Sequence, residues 1–469
     1  MAGNPQMRPI GALPFFASPD QLDPQLQLFL EDASTRLCKW LGDASNRGPL
    51  PSLSVLPGIA PSQYGLSSES LLEDLQLVMD GAYQPSHPGA LAHLDPPPLT
   101  GSIIADLICA GLNNNLLADE LSPSLSRLER DLCRWFAGIL GLPKSAGGVA
   151  ASGGSLSNLM ALVIARQQAD FQEEKNLFVI ASSDAHVSLS KALRVMGLSS
   201  NALQAIPTDS NGQISLSVLE KRLKTLKSQG LKCFAVVATA GTTVRGAIDP
   251  LISLAKFCAQ EKIWLHVDGA IGGVFALSEK TSPMLEGLSK ANSVTVNPQK
   301  VLGIAKTSSL LLVAEKNHLF EAFSTGLPYM EPAWGEAHGG ELGIQGTRSA
   351  EVLKLWLGLR QLGEEGIQKL LIDAISRRNY FQRKLERLNV DFVTGPLHLI
   401  AFTPKGLDED EASQWTMTTR KNLLDNQFML SRCLYKGRHY LKVVLGNPHT
   451  QLDHLDMLEK FIKKYLTEL

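Results

Sequence analysis

Between residues 147 and about 315, short apolar runs alternate with longer stretches of helical periodicity. No other feature limits the possible folds so tightly. The runs at 177–181, 233–238, 263–267, 293–296 and 310–313 have strand length. Most are apolar on both faces, as strands inside a parallel sheet are. Helical patterns separate them over 159–170, 188–196, 216–229 and 251–260. Strands alternating with helices predict an open, mostly parallel α/β sheet covered on both sides.

The flanks read differently. Residues 1–95 hold helical patterns in a Pro/Gly/Ser-rich setting, including an amphipathic stretch at 25–41 with Leu26, Leu28, Phe29 and Leu37 among its apolar positions. The run Asp95-Pro96-Pro97-Pro98 ends that region, because proline cannot continue a helix. Helices are expected at 103–117 and 124–140. After Arg348, helical patterns at 350–362 and 367–388 precede short strands at 397–403 and 440–445 and a closing helix. Three units are therefore expected: an N-terminal helical arm over 1–95, a large α/β domain over 96–349, and a smaller α+β domain over 350–469.

Composition narrows the function. Lys+Arg 44 against Asp+Glu 46 leaves a net charge of −2, so nothing draws the chain to nucleic acid or an anionic membrane surface. No apolar stretch reaches the roughly 18 residues of a membrane span. The N-terminus lacks the pattern of a secretory signal. Six scattered cysteines without a CxxC read as thiols in a reducing compartment, which makes the cytoplasm the expected location.

In open α/β sheets, ligands bind beyond the carboxyl ends of the strands. The predicted strands deliver Asp184-Ala185-His186, then Thr239-Ala240-Gly241-Thr242-Thr243, Asp268-Gly269-Ala270 and Asn297-Pro298-Gln299-Lys300 to that rim. Ahead of them, Ser152-Gly153-Gly154-Ser155-Leu156-Ser157-Asn158 opens a helix. Each piece has an ordinary reading alone. Gly-Gly-Ser can be a plain N-cap turn, His186 a solvated histidine, Asp268 a helix cap and Lys300 a surface lysine. Together they assemble a helix start suited to phosphate, a carboxylate for a heteroaromatic nitrogen and an amine for an aldehyde. That set fits pyridoxal 5′-phosphate.

These segments, with Gly246-Ala247-Ile248-Asp249-Pro250, resemble the group II pyridoxal-phosphate-dependent amino-acid decarboxylases, which include glutamate, aromatic amino-acid and 2,4-diaminobutyrate enzymes. The resemblance runs from about residue 85 to 365, and the step of 32 positions from Asp268 to Lys300 fits it. It implies a fold type I, aspartate-aminotransferase-like architecture, a homodimer and a small amino-acid substrate. Lys300 would then form the internal aldimine and Asp268 would pair with the pyridine nitrogen. His186 would stack on one ring face and Ala270 pack on the other. Gly154, Ser155 and Asn297 would hold the phosphate, with Thr243 near the ring substituents. Tyr329 would protonate the carbanion left after carbon dioxide departs, or else anchor a loop as an aromatic. Gln345-Gly346-Thr347 would reach a partner's phosphate.

Three positions depart from the family pattern: Gln299 stands where histidine usually precedes the lysine, Val301 replaces a bulky residue, and Gly269 replaces an alanine. Glutamine hydrogen-bonds but cannot act as a general acid near neutral pH. Two rival outcomes therefore stay open. One is another reaction of the same cofactor, such as aldehyde-forming oxidative deamination or carbon–carbon cleavage; the other is a cofactor-binding, non-catalytic homologue. For substrate, the segments around His93 and Ser122–Glu129 look most like the diaminobutyrate branch. An acidic amino acid would instead want an arginine, with Arg245 and Arg348 as candidates.

Overall fold

The computed structural model describes residues 13–52, 55–326, 331–332, 334 and 337–468. Seven strands form the larger sheet: β1 (Gly147–Ala151), β2 (Leu177–Ser182), β3 (Leu203–Ile206), β4 (Lys232–Thr239), β5 (Trp264–Gly269), β6 (Ser293–Val296) and β7 (Ser309–Val313). Their spatial order is β1-β7-β6-β5-β4-β2-β3. Neighbours from β6 through β3 pair in parallel, whereas β7 runs antiparallel to both β1 and β6. Strands β2, β5, β6 and β7 are buried along their whole length, and β4 is buried after Lys232. Burial on both faces explains why they read as continuous apolar runs.

Strands β1 and β3 were not legible. Gly147-Gly148-Val149-Ala150-Ala151 carries two glycines and little β-forming character, and β3 is four residues long. Two helix limits also differ from expectation. The helix expected at 159–170 spans Gly154–Gln168, so its first turn is the Gly-Ser segment itself. The helix expected to reach residue 117 spans Thr100–Leu112 and ends at Asn113, whose left-handed backbone (φ 48°) closes it. The helical patterns at 350–362 and 367–388 form one run, Val352–Leu385, kinked at Gly363 (φ 60°).

A second, antiparallel sheet follows in the order β10-β11-β9-β8, from β8 (Val390–Thr394), β9 (Leu399–Pro404), β10 (Ser431–Tyr435) and β11 (Arg438–Val444). Lys436 and Gly437, both with positive φ, form the two-residue turn between β10 and β11. This sheet meets the carboxyl-end rim of the larger one. Tyr435 Oη donates to Asp184 Oδ2 (2.8 Å), Arg245 Nη2 to Thr394 O (2.9 Å), and Lys442 Nζ to Thr243 O (3.4 Å). Among the described residues, no helix is long and apolar enough to cross a membrane.

Candidate active site

At the carboxyl ends of the parallel strands lies a cavity of about 390 Å³. Gly154, Ser155, His186, Thr243, Asp268, Ala270, Asn297 and Lys300 all border it. The topology explains the convergence. β4, β5 and β6 point the same way, so Thr239–Thr243, Asp268–Ala270 and Asn297–Lys300 leave the sheet on one edge. Antiparallel β7 begins where its neighbours end, which brings Ser309 to the same edge opposite Ala151.

The chain approaches the helix start through Gly153, whose backbone (φ 135°) favours glycine. A Cβ at Gly154 would stand 2.9 Å from the Asn297 amide, so the helix start can approach the loop after β6 only as glycine. With its nitrogen turned to Ser309 Oγ (2.7 Å) and Val296 O (3.2 Å), the Asn297 amide accepts from Gly154 N–H through its oxygen (3.3 Å).

Asp268 lies inside β5 rather than beyond it, and is buried. Its Oδ2 accepts from Asn158 Nδ2 (2.9 Å) and its Oδ1 from Ala270 N–H (3.1 Å). Lys300 sits on a single helical turn, Pro298–Val301. Burial lowers its pKa, opposed by the negative charges of Asp268 and Asp95, so a larger share of the amine is free to act as a nucleophile. Burial also lowers the pKa of His186, while Asp268 raises it. Ser188 N–H donates to His186 Nδ1 (3.2 Å), which leaves the proton of the neutral ring on Nε2.

The pyridoxal-dependent decarboxylase conserved domain matches residues 54–401. The chain belongs to that family. This decarboxylase is 30% identical over 393 residues to the aromatic-L-amino-acid decarboxylase of Bacillus atrophaeus, an alignment covering 82% of each chain. It is 29% identical over 415 residues to the L-2,4-diaminobutyrate decarboxylase of Rhizobium meliloti, covering 87% of this chain and 83% of the relative. The crystal structure of Oryza sativa TDC with PLP and tryptamine has the same fold, with a TM-score of 0.89 at 21% identity over 97% of this chain and 99% of that one. Family membership makes the protein a carboxy-lyase that uses pyridoxal 5′-phosphate.

The cavity fits that cofactor. It offers a carboxylate with two neutral donors already in place, an amine, and a helix start with glycine next to Asn297. Thr239 also borders it, and its Oγ1 is buried without a partner among the described residues, a polar atom that a bound group can satisfy.

Other expectations fare differently. Neither Arg245 nor Arg348 borders the cavity. The Arg245 guanidinium is held by Thr394 O and Ser210 O. Arg348 makes a buried two-pronged pair with Glu129, at 2.5 and 3.0 Å. Gln345 and Thr347 line a separate cavity of about 140 Å³ with Ser152, Ser308 and Ser309 of their own chain. His93 is solvent-exposed, with Tyr83 edge-on to its ring at 6.5 Å between centroids. Gln299 borders the cofactor cavity, and its Oε1 accepts from Ser308 N–H (2.6 Å), which leaves its amide protons to face other partners. Tyr329 lies outside the described residues.

Sequence reasoning passed over Asn158, His266, Ser309 and Lys442. A signal existed for His266, since a strand residue two before Asp268 points to the same face. Ser309 needed knowledge that β7 runs backwards.

Proposed function

We propose that the protein removes the α-carboxylate of an L-amino acid as carbon dioxide and releases the amine, with Lys300 as the amine that holds the cofactor's aldehyde carbon. One observation carries this reading: Lys300, Asp268 and the Gly154 helix start border one cavity. Bound pyridoxal phosphate supplies an electron sink for the pair left when carbon dioxide departs. The Asp268 carboxylate would hold a proton on the ring nitrogen. His186 would cover one ring face and Ala270 the other, which would orient the α-carboxylate bond and exclude water. Gly154, Ser155 and Asn297 hold the phosphate, and Thr243 faces the ring substituents. Tyr329 returns a proton to the α-carbon.

For substrate we favour an amino acid with an acidic side chain. Lys442 does not itself border the cavity but donates to the backbone oxygen of Thr243 in its wall, and among the described residues no carboxylate lies within ion-pair distance of it. The carboxylate nearby, Asp95, is already paired with Lys306 at 2.9 Å. An acidic side chain would therefore find a lysine just behind the wall whose nearby carboxylate, Asp95, is shared with Lys306, whereas the second amine of 2,4-diaminobutyrate would meet a carboxylate already in use. The likeness to a diaminobutyrate decarboxylase keeps that substrate as the second reading. Carbon dioxide, amine, aldehyde and peroxide are to be measured with aspartate, glutamate, cysteine sulfinate, 2,4-diaminobutyrate, ornithine, lysine and the aromatic amino acids. We expect equal amounts of carbon dioxide and amine, with kcat/KM at least ~10-fold higher for an acidic substrate than for diaminobutyrate. Peroxide with aldehyde would replace this reading by oxidative deamination, and no product from any of them would sink it.

We also propose a cytoplasmic homodimer. The free state of all six thiols suits a reducing compartment. On the helix Thr100–Leu112, Ile104, Leu107, Ile108 and Leu112 are each about half exposed, an apolar face suited to a second copy. Sedimentation of the holoprotein at micromolar concentration should give twice the 50.8 kDa chain mass. A monomer would refute the dimer.

A further inference from the structure

From the interior of the sheet to Asn158, which borders the cavity beside Asp268, runs a chain of buried hydrogen bonds with a single sense. Trp264 Nε1 donates to Ser293 Oγ (2.8 Å), and Ser293 Oγ bonds His266 Nδ1 (2.9 Å). His266 Nε2 bonds Asn158 Oδ1 (3.0 Å), which also accepts from Thr295 Oγ1 (2.9 Å). Asn158 Nδ2 then donates to Ser188 Oγ (3.0 Å) and to Asp268 Oδ2 (2.9 Å). Asn158, His266, Ser293 and Thr295 are each at most 1% exposed.

The directions are fixed by chemistry. Burial lowers the pKa of His266 to about 4, so near neutral pH its ring is uncharged with one donor and one acceptor nitrogen. Asn158 Oδ1 can only accept, so the proton sits on Nε2 and Nδ1 accepts from Ser293. Two donors on Oδ1 then lock the amide, and turning it over would set its oxygen against the Asp268 carboxylate. Every dipole in the chain points its positive end toward Asp268. Neutral donors aimed at a carboxylate favour its ionised form without cancelling its charge.

We propose that Asn158, locked by His266 and Thr295, is a positioning residue that holds the Asp268 carboxylate aimed at the cofactor's ring nitrogen. This rests on the reading that Asp268 meets that nitrogen. The titratable groups facing Asp268 are His266 behind it and His186 and Lys300 on the cavity side. His186, Lys300 and Asn158 all border the cavity, so the two locking partners, His266 and Thr295, are where the carboxylate can be tuned from outside it.

The test compares the apoprotein's affinity for pyridoxal phosphate with that for its 1-deaza analogue, whose ring carries carbon in place of nitrogen. Wild type should bind the natural cofactor more tightly, because only that ring gives Asp268 a partner. Asn158→Ala should weaken natural-cofactor binding ~10-fold and analogue binding less than about twofold, the equivalent of one charge-assisted hydrogen bond. Thr295→Val, nearly isosteric and touching Asn158 but not the cavity, should give the same selective loss at ~3-fold, and it serves if the alanine variant fails to fold. Equal losses for both cofactors, or no loss, in the variants of a discriminating wild type overturn the proposal. A wild type that does not discriminate overturns the Asp268 reading instead.

Discussion

Lys300→Ala is expected to fold, to bind pyridoxal phosphate only reversibly, and to release carbon dioxide at ~10⁻⁴ of the wild-type rate or less. The size follows from what the proposed tethered amine would supply: it would hold the reacting carbon where a substrate amine can take its place, an advantage that reaches effective molarities of about 10⁵ M or more in well-oriented systems. Burial within the Pro298–Val301 turn lowers the pKa of this amine, so a larger share of it is unprotonated than in an exposed lysine. Borohydride reduction followed by denaturing gel filtration reads the tether directly. Wild type should retain the cofactor label and the variant should lose it. A variant that kept both label and turnover would remove Lys300 from the mechanism.

Asp268→Asn should leave the tether intact and cost ~10³-fold in kcat, in the range seen when one preorganised electrostatic group is lost from an active site. The carboxylate stands within a shell of neutral donors from Asn158 and Ala270, so its negative charge is not cancelled by a neighbouring salt bridge. Replacing it with an amide would remove the charge proposed to hold the ring nitrogen protonated, and would put an NH₂ group against one of those donors or against the ring. Single-turnover measurement of carbon dioxide release at saturating cofactor separates the chemical loss from any loss of binding. A decrease smaller than tenfold would mean that ring protonation has another source.

The parts of this site that could be read in the sequence are those where one residue type at one place carries a unique meaning. Gly154, Asp268, Asn297 and Lys300 were legible because a glycine-opened helix and polar residues at the ends of apolar runs have few other uses in an α/β sheet. The strands β4, β5 and β6 were legible for the same reason: burial on both faces leaves an unbroken apolar run. What stayed hidden depends on direction or distance. The reversed course of β7 is invisible in composition, so Ser309 could not be assigned to the rim. The pairing of Arg348 with Glu129 spans 219 positions, and an arginine seen alone looks as suited to substrate as to structure. Asn158 and His266 were within quoted or adjacent segments, but their value lies in a hydrogen-bond order that only coordinates reveal.

The reversal of β7 has one more effect. Parallel neighbours are joined by crossovers in which a helix can lengthen or shorten at the protein surface. β6 and β7 instead lie side by side with Val296 opposite Leu310, and the twelve positions between Val296 and Ser309 carry Lys300. Both ends of that connection are fixed to adjacent strands of the central sheet, and Lys300 sits only four residues after β6. An insertion or deletion between Val296 and Lys300 would therefore move that amine relative to Asp268 on the neighbouring strand, while the helical crossovers between the parallel strands can vary in length at the surface.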